Sequence, residues 1–141
     1  MAITKLNPYL NFNGTAEQAI KLYEKALDAK AENIMRFGDG QGMDVKPEDK
    51  NRVMHAALHI GGGVIMVSDT MPNTPVNTAG ANVQVLLNCD DVPDMTKKFQ
   101  ALSAGGKITM PLQDTFWGAH FGMLTDAYGI NWMFSCEKKR S

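Results

Sequence analysis

The sequence predicts an α+β fold built from two βαβββ modules, and three observations carry that prediction. Two amphipathic helical stripes stand 76 positions apart. Each follows a strand-like segment of related wording, and each is followed by three more strand-like segments.

In chain order, Tyr9-Leu10-Asn11-Phe12-Asn13 alternates apolar and polar side chains and reads as the first strand. A helix is expected over 15–28, because Ala16, Ala19, Ile20, Tyr23, Ala26 and Leu27 recur at three- and four-residue spacing. Thr15 with Gln18 three residues later predicts a capping box at its start. Strands over 31–37, 53–60 and 64–69 complete the first module. A polar loop over 38–50, with Gly38-Asp39-Gly40-Gln41-Gly42 and Pro47, interrupts them. Those glycines precede no helix start, so they do not make a phosphate loop. Residues 70–82, with Pro72, Asn73, Pro75, Asn77 and Gly80, read as a linker.

The second module opens on Leu86-Leu87-Asn88-Cys89-Asp90, 77 positions after its counterpart. Its helix carries Val92, Met95, Phe99 and Leu102, enters through Asp91 and Pro93, and stops at Gly105-Gly106. Strands follow over 107–112, 120–125 and 130–137, and Met133-Phe134-Ser135 repeats Met66-Val67-Ser68. Gly61-Gly62-Gly63 and Tyr128-Gly129 read as hairpin turns. One domain over 1–141 is expected, with module 1 at about 5–70, a linker at about 71–81 and module 2 at about 82–137.

A chain of 141 residues buries enough surface to fold without staples. Fourteen Lys and Arg against fifteen Asp and Glu, with no long run of like charge, provide no basic face for phosphates, so nucleic acid is not an expected partner. The longest nearly uncharged apolar stretch, 53–67, is broken by two histidines and three glycines, which disfavours a membrane span. Residues 1–12 lack a basic start and apolar run, and a cytoplasmic location is the expectation. Cys89 and Cys136 have no CxxC spacing and sit in apolar strand contexts, so both are expected as buried, reduced thiols.

Several motifs resemble a known family. They are Pro8-Tyr9-Leu10-Asn11-Phe12, Gly14-Thr15-Ala16-Glu17-Gln18-Ala19-Ile20, Met54-His55-Ala56, Ser68-Asp69, Gly105-Gly106-Lys107, Thr115-Phe116-Trp117-Gly118, Phe121-Gly122, Thr125-Asp126 and Gly129-Ile130-Asn131-Trp132-Met133. Their order and spacing resemble PhnB-like proteins of the vicinal oxygen chelate superfamily, which includes glyoxalases and bleomycin-resistance proteins. The resemblance implies an eight-stranded mixed sheet curled around a cavity between the modules, a homodimer, and a divalent metal held by four side chains of the first and last strands. Strand parity carries those four positions onto Asn7, Met66, Gln84 and Met133. Two amides and two thioethers suit a hard divalent ion poorly, so no metal and no other cofactor is expected.

Parity also turns Tyr9, Asn11 and Asn88 toward the cavity. His55 reads either as a hydrogen-bonded histidine at a barrel rim or dimer seam or as a proton-transfer residue, with Asp69 orienting it or a ligand, or forming a turn. His55 and His59 share a strand face but lie roughly 13 Å apart, too far to chelate one ion. In Phe116-Trp117-Gly118-Ala119-His120-Phe121-Gly122, Trp117 and His120 are expected at a cavity lip, and Phe116 and Phe121 in packing.

Two functions compete. One is metal-independent binding of a small molecule by Asn7, Tyr9, Asn11, Met66, Gln84, Asn88, Trp117, His120 and Met133, whose amides orient a ligand while the methionines adapt to its shape. The other is a lyase, isomerase or transferase in which His55 moves a proton, with or without a divalent metal. The methyltransferase label sometimes attached to PhnB-like proteins finds no glycine-rich strand-to-helix loop here.

Overall fold

The computed structural model describes residues 5–39, 45–70 and 83–137. The expected linker at 71–81 and the centre of the polar loop, 40–44, lie outside the described residues. The chain divides into two compact units, Met1–Val76 and Asn77–Ser141.

The first unit runs β1 (Tyr9–Phe12), α1 (Ala16–Leu27), β2 (Lys30–Arg36), β3 (Val53–Ile60) and β4 (Gly63–Asp69). The second runs β5 (Val85–Cys89), α2 (Val92–Leu102), β6 (Lys107–Asp114), β7 (Ala119–Thr125) and β8 (Asn131–Glu137). The strands form two mixed sheets of four, ordered β1-β4-β3-β2 and β5-β8-β7-β6. In each, the first and last strands of the unit pair in parallel and the other neighbours pair antiparallel. This is the repeated α+β arrangement read from the sequence.

Each helix covers one face of its own sheet. On α1, Ala16, Ala19, Ile20, Tyr23, Ala26 and Leu27 are buried. So are Leu10, Phe12, Ala56, Leu58, Ile65 and Val67 of the sheet, alternate residues that share one face. In the second unit Met95, Phe99 and Leu102 of α2 are buried, as are Trp132, Phe134, Leu124 and Cys136. Each large apolar side chain buried in this way contributes about 1.5–3 kcal/mol. Phe99 meets Phe134 edge-on, with ring centroids 5.2 Å apart. Gly122 permits that close approach, because a Cβ there would stand 3.0 Å from the Phe99 ring and 2.8 Å from Leu112.

The two-residue turn Gly61-Gly62 joins β3 to β4, with Ile60 opposite Gly63 and Gly61 at φ +56°. The β7–β8 turn is held by Asp126, whose carboxylate accepts from the Tyr128 and Ile130 N–H groups and from Trp132 Nε1 at 2.8–3.1 Å. Edge strands β2 and β6 both carry register shifts, and β6 contains Pro111, devices that blunt an edge against further pairing.

Candidate functional site

Because α1 takes one face of the first sheet, the alternate residues are left on the helix-free face. The ladders set Tyr9 beside Met66 and Asn11 beside Ser68, then Ala57 beside Met66 and His59 beside Val64. His55, two residues before Ala57, shares that face. Tyr9 is 47% exposed, and its hydroxyl reaches across β4 to His55 Nδ1 at 3.3 Å. One rung along, the Ser68 hydroxyl donates to Asn11 Oδ1 at 3.2 Å. His59, on the same face, leans away from Tyr9 toward β2, its Nε2 lying 3.3 Å from Glu32 Oε2. Asn7, ahead of β1, donates its amide to the Val64 carbonyl at 2.9 Å.

The helix-free face of the second sheet is more apolar. Leu86 and Met123 flank Met133, while Asn88 and Phe121 flank Ser135. Trp117, in the turn after β6, meets Phe121 edge-on at 5.7 Å. Thr115 braces that turn: its N–H donates to the Ala119 carbonyl at 2.8 Å, and the Ala119 N–H donates to its hydroxyl at 3.2 Å. Gln84 is exposed and precedes the ladder of β5.

Three sequence expectations are corrected. Asp69 does not orient His55, because it pairs with Phe12 and therefore points to the helix side of the sheet. It is only 4% exposed, and its carboxylate accepts from the Gly14, Ala16 and Val53 N–H groups at 2.8–2.9 Å. His120 does not stand at a lip beside Trp117. It neighbours Phe121 in β7, so it takes the opposite face, opposite Cys136, and its Nδ1 lies 2.9 Å from Asp114 Oδ1. Phe116, expected in packing, is 97% exposed and touches Trp117 edge-on at 5.0 Å.

Parity puts Tyr9 and Asn11 on the face opposite the helix, where the ladders also place them, and a motif singles out His55. The Tyr9–His55 and Asn11–Ser68 contacts were not legible, because they depend on β1 pairing with β4, more than fifty residues later. The cysteines are expected as two buried, reduced thiols, but the parallel β5–β8 ladder sets Cys89 directly beside Cys136, and only Cys136 is buried while Cys89 is half-buried. Both are free thiols, and burial, then the neighbouring Cys136, pushes the Cys89 thiol above its ordinary pKa.

The four positions onto which the family resemblance carries a metal site, two in each unit, hold two amides and two thioethers. The Asn7 amide already donates to Val64; within the first sheet Met66 is flanked by Tyr9 and Ala57, and within the second Met133 is flanked by Leu86 and Met123, none of which supplies an anionic or imidazole ligand. Such a donor set does not fit a hard divalent cation. Among the described residues, no three His, Cys, Asp or Glu side chains converge as a metal site. No helix among them is long and apolar enough to cross a membrane.

Comparison with known proteins agrees with this architecture. The chain is 32% identical to protein YjdN of Escherichia coli K12, over 96% of this chain and 97% of that protein. It superposes on the crystal structure of protein PA1353 from Pseudomonas aeruginosa with a TM-score of 0.84 at 36% identity, covering 97% of this chain and 100% of the other. The PhnB protein from Bacillus cereus follows at a TM-score of 0.74 and 26% identity, covering 94% and 99%. The sequence pattern of the Glyoxalase/Bleomycin resistance protein/Dioxygenase superfamily matches residues 5–134. With that match spanning nearly the whole chain and both sheets following the same βαβββ order, the chain belongs to this superfamily.

Proposed function

We propose that the chain is a metal-independent small-molecule-binding protein that takes its ligand on the helix-free face of the first sheet. The observation that carries this reading is the mixed surface formed there by Tyr9, Asn11, His55, Met66 and Ser68. Two hydrogen bonds tie this surface together, none of its five side chains is a carboxylate, and Glu32, farther along the face, lies beside His59. Paired hydrogen bonds hold the polar groups in place, which lowers the entropy a ligand must overcome in ordering them. Met66 adds an adaptable apolar floor between Tyr9 and Ala57.

NMR titration of the isotopically labelled chain with a fragment library, with and without EDTA, tests this directly. Hits are expected to shift Tyr9, Asn11, His55 and Met66 signals equally in both conditions. Binding that vanishes with the chelator, or that leaves this face unperturbed, overturns the reading.

The Tyr9–His55 contact also favours a second reading, in which His55 transfers a proton on a bound substrate and Tyr9, rather than Asp69, is its hydrogen-bond partner. On any substrate that the chain converts, turnover left intact in His55→Ala removes His55 as the base.

A further inference from the structure

Resting on the binding site proposed above, we infer that the first sheet presents hydrogen-bond donors outward and selects ligands through an acceptor oxygen, a carbonyl or carboxylate on an organic body. Two internal hydrogen bonds lead to this polarity. The Ser68 hydroxyl lies 3.2 Å from Asn11 Oδ1, and a carbonyl oxygen only accepts, so serine supplies the proton. That bond fixes the amide with Nδ2 as its free end, carrying two donor hydrogens.

At the other pair, the Tyr9 hydroxyl lies 3.3 Å from His55 Nδ1. A phenol is the better proton donor and a neutral imidazole nitrogen the better acceptor, so the tyrosine proton faces Nδ1. The ring proton of neutral His55 is then on Nε2. Among the described residues, neither Asn11 Nδ2 nor His55 Nε2 has a hydrogen-bond partner.

The spacing suits one ligand group. Asn11 stands opposite Ser68, and the antiparallel register that pairs Ala56 with Val67 carries His55 opposite Ser68 from the other side. The two donors therefore share a rung two strands apart, roughly 10 Å between backbones at about 4.8 Å per strand. A carboxylate about 2 Å wide, accepting at about 2.9 Å on each side, spans most of that gap between inclined side chains. Met66, beside Tyr9 on the same face, supplies apolar contact for the body behind it. Glu32, an acceptor on this sheet, is already beside His59 and does not compete.

Three aromatic probes of similar size, benzoate, acetophenone and benzylamine, separate this inference from the broader reading. Titration by NMR at neutral pH is expected to show benzoate and acetophenone shifting Asn11 and His55 signals, with benzylamine about tenfold weaker. Asn11→Leu and His55→Phe are each expected to weaken acetophenone about tenfold and to narrow its margin over benzylamine. Equal binding of all three probes on this face overturns the donor assignment while leaving the face a binding site. No shift on this face with any probe overturns the binding reading itself. Long-range proton–nitrogen NMR gives a readout independent of ligand: neutral His55 is expected as the Nε2–H tautomer, and an Nδ1–H tautomer overturns the inference.

Discussion

Asp69 and Asp126 are carboxylates sunk into the fold, and each is placed to satisfy groups that would otherwise be stranded without water. Asp69 gathers three backbone N–H groups from three parts of the first unit: the β1–α1 turn, the first turn of α1 and the start of β3. In Asp69→Asn one oxygen remains for one side of this cluster, while the new amide N–H₂ confronts a backbone donor on the other. A loss of about 2 kcal/mol is expected, rising to about 4 kcal/mol for Asp69→Ala, where all three donors lose their partner. Urea unfolding reads both values. Neither change is expected to alter ligand shifts at His55 in the folded protein. A stable Asp69→Ala that loses binding at His55 would instead return Asp69 to the site. The sequence allowed Asp69 two roles, orienting partner or turn former, and the structure gives it a third, because a carboxylate's function depends on which face its strand turns inward.

The two helices begin in different ways, although their modules repeat. Thr15 makes no side-chain cap, and the first N–H of α1 is met instead by Asp69 from β4, 53 positions away. Asp91 caps α2 locally, accepting from the Asp94 N–H at 2.9 Å. The registers explain the difference: Phe12 faces Asp69 in the first sheet, and the same rung in the second holds Cys89 and Cys136. With a thiol where the first unit has a carboxylate, α2 needs its own cap. Thr15→Ala is therefore expected to cost under about 0.5 kcal/mol and Asp91→Ala about 1 kcal/mol, both measured by thermal or urea unfolding. A larger loss at Thr15 than at Asp91 would contradict this ordering. The helices and strands were legible at nearly their observed bounds, since periodicity is a local property of the chain. The capping box at Thr15 and Gln18 misled because the competing cap comes from a distant strand, and His120 was misplaced because a single-residue change of parity inverts a face.

At the scale of the whole molecule, the repeat means that among the described residues each strand ladder closes within its own unit: β1 to β4 form one sheet and β5 to β8 the other. Each unit also has a helix over one face and a set of buried side chains, from Leu10 to Val67 in the first and from Met95 to Cys136 in the second. Repetition was visible in the sequence as the 77-position echo of Asn11 in Asn88 and the echo of Met66-Val67-Ser68 in Met133-Phe134-Ser135. The polarity of each helix-free face was less visible, since it emerges only when cross-strand neighbours are assembled. A chain cut between Val76 and Asn77 breaks no ladder among the described residues, so the halves Met1–Val76 and Asn77–Ser141 are each expected to fold. Cores of this size supply only about 3–5 kcal/mol, and each half leaves large apolar side chains exposed, Tyr9 and Met35 in one, Leu86, Phe116 and Trp117 in the other. The separate halves should therefore show dispersed amide NMR spectra and mixed helix and strand circular dichroism, melt below the intact chain, and self-associate as concentration rises. Collapsed, undispersed spectra from both halves would mean that neither core is sufficient and that the repeat is an arrangement of sequence rather than of folding units.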